Sequence, residues 1–257
     1  MNKGNWTREE SILAFSLYCK TPFGKINKNN SKIIELAAII GRNPSAVGMK
    51  MCNFGRFDSE LKKRNVSGLQ NGSKMDEVVW NEFFQNGENL VEEAANIMAC
   101  YINRPVSSQV DLTDLPDLPE GSEKERIIKA RLNQQFFREA LLSSYRSTCC
   151  ITGINIPELL VASHIKPWRV SDPKTERTKP SNGILLNALH DKAFDKGLIS
   201  INTSFEIMIS SKLAGAICDV ECCDWFMAFQ GEKISLPEKF VPDKQFIEYH
   251  NDVVFAR

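Results

Sequence analysis

The chain of 257 residues has no apolar run close to the roughly 18 residues that a membrane span requires. Its opening stretch, MNKGNWTREE, also lacks the apolar segment of a secretory signal. A cytoplasmic protein with no membrane partner is expected. Eight cysteines are present, yet none forms a Cys-x-x-Cys pair, which excludes the usual zinc-ribbon and dithiol motifs. A chain this long can bury a core without disulfide staples, so the cysteines are expected to be reduced and mostly buried. No internal repeat or low-complexity tract occurs, and 42% hydrophobic with 25% charged residues excludes collagen, disorder and coiled coil. Histidine is scarce, with only three in the chain, so a histidine that falls in a motif carries weight.

Net charge is absent as well, with 32 basic and 32 acidic side chains. Taken as a total, that balance argues against nucleic acid as a partner. Its distribution argues otherwise. Residues 1–68 hold 12 basic and 5 acidic side chains, 69–120 hold 2 and 10, 121–200 hold 13 and 8, and 201–257 hold 5 and 9. Two basic regions alternate with two acidic ones, and each basic region is large enough for a phosphate-facing patch.

What is present begins with a capping box, Thr7-Arg8-Glu9-Glu10, which opens an apolar-periodic stretch ending near Cys19. Ser31 to Ile40 is a second helix, closed by Gly41. Asn43-Pro44-Ser45 starts a third, with Met51 and Phe54 inward. Helix, glycine-containing turn and helix have the spacing of a helix-turn-helix. In that reading Ser45 and Lys50 lie on or beside the exposed face of the second helix and Arg42 in the turn, all three as candidate DNA contacts. Residues 76–101 read as helical and acidic. Residues 104–121 contain Pro105, Pro116 and Pro119 and form the best linker in the chain. Ser122 to Ser144 reads as one long amphipathic helix. Three parts follow: a helical module at 1–68, an acidic helical segment with linker at 69–120, and a catalytic part at 121–257.

The chemistry concentrates in that last part. CCITG at 149–153 leads to an apolar strand ending on His164, then a basic loop to Pro180. After Ser181-Asn182-Gly183 comes a second apolar strand, Ile184-Leu185-Leu186. The helix-compatible run ALHDKAFDK then carries His190, Asp191 and Asp195 and stops at Gly197. The order strand, loop, strand, helix, with His, Asn and His along it, resembles the HNH nuclease motif. ASHIKPW, SNGILLNALHDKAFDKGLISI and LPEKFVPD followed by YHNDVVF are similar to the HNH branch found in bacterial restriction-type endonucleases. Residues 6–58 also resemble a domain that accompanies some of these nucleases.

The resemblance implies an α+β protein with an all-α amino-terminal module and a ββα-metal nuclease domain. It further implies a metal-dependent endonuclease that hydrolyses phosphodiester bonds of double-stranded DNA in restriction or anti-phage defence. His164, neutral near an unperturbed pKa of about 6.5, is the general base. His190 is the principal ligand of a divalent cation, Mg²⁺ or Mn²⁺, with Zn²⁺ as an alternative. Asn182 holds the backbone that orients His164. Asp191 and Asp195, four apart on one helix face, are candidates to complete the metal shell. Many HNH nucleases have an acidic ligand just before the base, and here Ser163 occupies that position. Lys166 and Arg169, in the loop between the strands, are further candidate DNA contacts, while Trp168 is expected to pack. His250 reads as structural. One such site cuts one strand, so a homodimer is the expected partner for a double-strand break. Two other readings are an inactive HNH-fold DNA-binding regulator and a non-specific effector nuclease controlled by a partner.

Overall fold

Thr7 Oγ1 accepts the backbone N–H of Glu10, and Glu10 Oε2 accepts that of Thr7, both at 3.2 Å. The capping box therefore opens α1 (Arg8–Cys19) in the computed structural model of the protein. The structure describes residues 4–63, 72–84, 86–113, 119–216 and 224–256. The chain divides into two compact units. The first runs to Ser143 and includes Asp172–Lys179; the second comprises Ser144–Ser171 and the chain from Pro180 onward.

The first unit is helical: α1, α2 (Ser31–Ile40), α3 (Pro44–Gly55), α4 (Ser59–Lys63), α5 (Lys74–Phe83), α6 (Gly87–Ile102) and α7 (Ser122–Ser144), whose last residue falls beyond the unit. Every residue of α1 from Glu10 to Cys19 is buried, because α2, α3, α5 and α6 all pack on it. Phe15 anchors this core, its ring 4.9 Å from Phe54 and 5.5 Å from Trp80. Gly41 closes α2 with φ +65°, and Asn43 caps α3 with Pro44 in its first turn. The acidic stretch is two helices, divided where Asn86 caps α6. Packing counts α7 with this unit, where the sequence had placed it at the head of the catalytic part. Its Lys129 reaches Glu88 at 2.9 Å and Glu92 at 2.8 Å on α6.

Two expected DNA contacts in this unit are corrected. Arg42 is 6% exposed in its side chain and pairs with Glu10, donating from Nε at 2.9 Å and Nη2 at 2.6 Å, with further bonds to the carbonyls of Gly4 and Asn5. Lys50 is 3% exposed and pairs with Asp76, the buried N3 residue of the capping box that opens α5. Lys50 falls in line with Val47 and Phe54 at helical spacing, on the face of α3 turned to the core. Neither cation is presented to a phosphate. Ser45 and Met49 are exposed on α3.

In the second unit, β1 (Leu160–His164) pairs antiparallel with β2 (Gly183–Asn187), setting His164 opposite Gly183 and Leu160 opposite Asn187. Strand β2 is buried throughout, and α8 (Ala188–Asp195) follows at once and packs on both strands. This is the expected ββα order. Gly197 (φ +65°) ends α8, with the N–H of Leu198 returning to the Ala193 carbonyl at 2.8 Å. A short hairpin, β3 (Ile199–Ile201) and β4 (Ile207–Ile209), comes next. The terminal helix Lys244–Tyr249 continues into a π-turn, His250–Val254. There His250 stacks on Phe194 at 3.8 Å, and the N–H of Ala256 bonds the Gly197 carbonyl at 2.9 Å. Among the described residues none of the cysteines is disulfide-bonded: Cys19, Cys149 and Cys150 are buried, Cys52 partly so, and Cys100 is exposed. Cys218, Cys222 and Cys223 lie outside the described residues, as do linker residues 114–118.

Candidate functional site

His164 is the last residue of β1, and beyond it Ile165, buried completely, still donates its N–H to the Asn182 carbonyl at 3.0 Å, in register with the β1–β2 pairing. The His164 ring is half-buried, with Trp168 edge-on at 5.4 Å and 85°. Trp168 thus packs beside the candidate base.

Asn182 has no solvent exposure. Its Oδ1 accepts the Lys166 N–H at 2.8 Å, and its Nδ2 donates to the Lys166 carbonyl and to Ser171 Oγ, both at 3.3 Å. Ser171 Oγ in turn donates to the carbonyls of Lys166 and Pro167. One amide therefore holds both sides of a residue two positions beyond His164, fixing the chain where it leaves the strand. Amide chemistry suits this because it donates and accepts without taking up a proton. Asn182 is linked to His164 through this short segment.

His190 lies in the first turn of α8 and is 3% exposed. Its ring sits among Phe226 at 5.2 Å and Phe229 at 5.7 Å. Burial pushes its pKa below the ordinary value, opposed by the Trp225 backbone. Nδ1 lies 3.1 Å from Asn187 Oδ1, and Nε2 is buried with no hydrogen-bond partner among the described residues. A buried imidazole nitrogen left unpartnered is costly unless something occupies its lone pair, so His190 fits a metal ligand.

The rest of the expected shell does not assemble. No three His, Cys, Asp or Glu side chains converge on a metal position among the described residues. Successive residues of a helix point about 100° apart. His190 therefore shares the buried face of α8 with Ala193 and Phe194, while Asp191 is half-buried and Asp195 exposed. The set of His190, Asp191 and Asp195 is corrected to His190 with two carboxylates on another face. Burial raises the Asp191 carboxyl pKa, with Ser163 opposing and Asp195 adding to the rise. Ser163 Oγ is close enough to favour the charged carboxylate without making a hydrogen bond of normal geometry. Ser163 is thus buried beside Asp191 of α8.

Lys166 Nζ lies 5.4 Å from the ring centre of Tyr249, and Arg169 is exposed. His250 is 1% exposed, with Nδ1 2.8 Å from Ser200 Oγ and Nε2 3.2 Å from the Phe194 carbonyl; it holds the chain terminus to α8. Sequence reasoning missed Asn187. The signal was available: an asparagine immediately before a helix, three residues ahead of a motif histidine, is an N-cap.

No curated protein matches the chain. A family model described as HNH endonuclease does, over residues 149–202. That span takes in β1, the Asn182 turn, β2, α8 and β3, so residues 149–202 are similar to the HNH endonuclease family, and nuclease action on nucleic acid is the activity this supports.

Proposed function

We propose that the protein is a metal-dependent HNH endonuclease that hydrolyses phosphodiester bonds of double-stranded DNA in restriction or other antiviral defence. The observation that carries this reading is the Asn182 clamp. A fully buried amide bonds both the N–H and the carbonyl of Lys166, which fixes the chain just after His164 in a ββα unit. His164 acts as general base, taking a proton from the attacking water. Among the described residues His190 Nε2 would hold the cation, and water and the substrate phosphate would supply further ligands. A bound Mg²⁺ or Mn²⁺ supplies charge stabilisation on the scissile phosphate and the leaving 3′ oxygen. Asn182 moves no proton; it keeps the base in place. Trp168 shields one edge of the base. Lys166 and Arg169 contact phosphates beside the site, and Ser45 remains the DNA contact assigned to the helical unit. A second copy supplies the second cut of a double-strand break, and the cytoplasm is the compartment in which DNA is met.

That no three-ligand cluster forms among the described residues favours one second reading, an inactive HNH-fold DNA-binding regulator. Incubating the full chain with supercoiled plasmid, single-stranded DNA and RNA, with Mg²⁺, Mn²⁺ or EDTA, separates the two. The nuclease reading expects EDTA-sensitive cutting of duplex DNA, and the regulator reading expects binding with no cutting under any condition.

A further inference from the structure

Asn187 ends β2 and caps α8 at the same time. Its Oδ1 accepts the backbone N–H of His190 at 3.0 Å and lies 3.1 Å from Nδ1 of the same residue. Its Nδ2 donates to Thr152 Oγ1 at 3.0 Å and, more weakly, to Cys149 Sγ at 3.7 Å. The same sulfur receives the Asn187 backbone N–H at 3.3 Å. Turning the amide over would set its NH₂ against the His190 N–H, donor against donor, so the His190 end fixes this orientation and the Thr152 hydroxyl, able to accept, fits it. A carbonyl oxygen has no proton to give. The proton between Asn187 and the ring must therefore sit on Nδ1, and in a neutral imidazole Nε2 is then bare. Nε2 has no hydrogen-bond partner among the described residues.

We propose that Asn187 is a positioning residue that fixes His190 as the Nδ1–H tautomer and so leaves the Nε2 lone pair bare. The identity of what Nε2 holds, a divalent cation, rests on the nuclease reading; the tautomer does not. Thr152 and Cys149, from the turn at the head of the matched segment, hold the amide that holds the ring. This is the arrangement by which an outer partner sets the orientation and basicity of a metal-binding histidine. The Trp225 backbone favours the charged, doubly protonated ring and so opposes burial; in the neutral ring the proton stays on Nδ1, against Asn187.

The test is a long-range ¹H–¹⁵N spectrum of the histidine rings in the metal-free full chain, paired with Mn²⁺ binding by calorimetry. Wild type is expected to show His190 protonated on Nδ1 alone. Asn187→Ser keeps an oxygen that can cap α8 but is too short to reach the ring. It should retain the helix content and melting of wild type while the tautomer becomes mixed and Mn²⁺ affinity falls about 10- to 100-fold. Asn187→Asp accepts the same two N–H groups and should restore the Nδ1–H tautomer, with Mn²⁺ affinity within a few-fold of wild type. A protonated Nε2 in neutral wild-type His190, or wild-type tautomer and affinity in Asn187→Ser, would overturn the proposal. A wild type with the expected tautomer that binds Mn²⁺ and cuts nothing supports the role of Asn187 and counts against the nuclease reading instead.

Discussion

At the scale of single residues, burial decides what a titratable side chain is for. His250 is held neutral, with its pKa pushed down to about 4 by desolvation. The unfolded chain, with an ordinary histidine near 6.5, takes up a proton first as pH falls. Stability is therefore whole above about pH 6.5 and declines toward about pH 4, by about 3 kcal/mol from this group alone. His190, lowered in the same direction, adds with the same sign. Urea melts between about pH 7 and pH 4 should show this decline in wild type and a shallower one in His250→Phe, which keeps the stack on Phe194 but has nothing to protonate. Equal slopes would contradict the assignment.

Arg42 and Lys50 make the same point with the opposite outcome. Their basic character drew them toward DNA, but the carboxylates that claim them, Glu10 and Asp76, lie 32 and 26 residues away in sequence. A local reading has no access to such partners. Removing either cation takes from a buried carboxylate the positive charge that pairs with it, so Arg42→Ala and Lys50→Ala should each destabilise the helical unit by about 3–5 kcal/mol in a denaturant melt. A variant that melts as wild type but shows a shallower salt dependence of DNA binding would return that residue to the DNA surface.

Among elements, the readable ones carried their own stop and start signals. The Thr7 capping box opens α1, Gly41 closes α2, Asn43-Pro44 opens α3 and Gly197 closes α8 through local chemistry, while α7 spans the residues that its amphipathic pattern marks. The β1 and β2 strands were legible from short apolar runs on either side of a polar loop. The β3–β4 hairpin was not, since three-residue strands are too short to show a period. Nor was the division of the acidic stretch at Asn86, where helical periodicity resumes after the break. Gly197 has a second role that only the packed structure reveals. A Cβ there would lie 2.0 Å from the Val254 carbonyl oxygen, beneath the strap that also carries His250. Gly197→Ala should cost about 1–3 kcal/mol for the left-handed backbone alone and more for the clash. It should also release the terminus from α8, seen as cleavage after about residue 249 in limited proteolysis. Wild-type melting and protection in that variant would contradict this packing.

For the molecule as a whole, the order His164, Asn182, His190 could be read from the sequence, since those residues punctuate a strand end, a turn and a helix start. The support behind them could not. Asn182 reaches back 16 residues to Lys166, and Asn187 reaches back 35 to Thr152; only folding brings those atoms together. The metal shell was over-read for a related reason. Helical spacing puts Asp191 and Asp195 on one face, and the same spacing turns the adjacent His190 about 100° away onto another, which a pairing of the two carboxylates alone overlooks. The central claim is that His164 is the base of a metal-dependent nuclease. Its most direct test is the single-turnover rate of plasmid cleavage by wild type, His164→Ala and His190→Ala across a Mn²⁺ titration. His164→Ala should be slower by about 10²- to 10⁴-fold at every Mn²⁺ concentration, with DNA binding retained, while the His190→Ala defect shrinks as Mn²⁺ rises. His164→Ala cutting at the wild-type rate, or recovering with Mn²⁺ as His190→Ala does, would contradict the account.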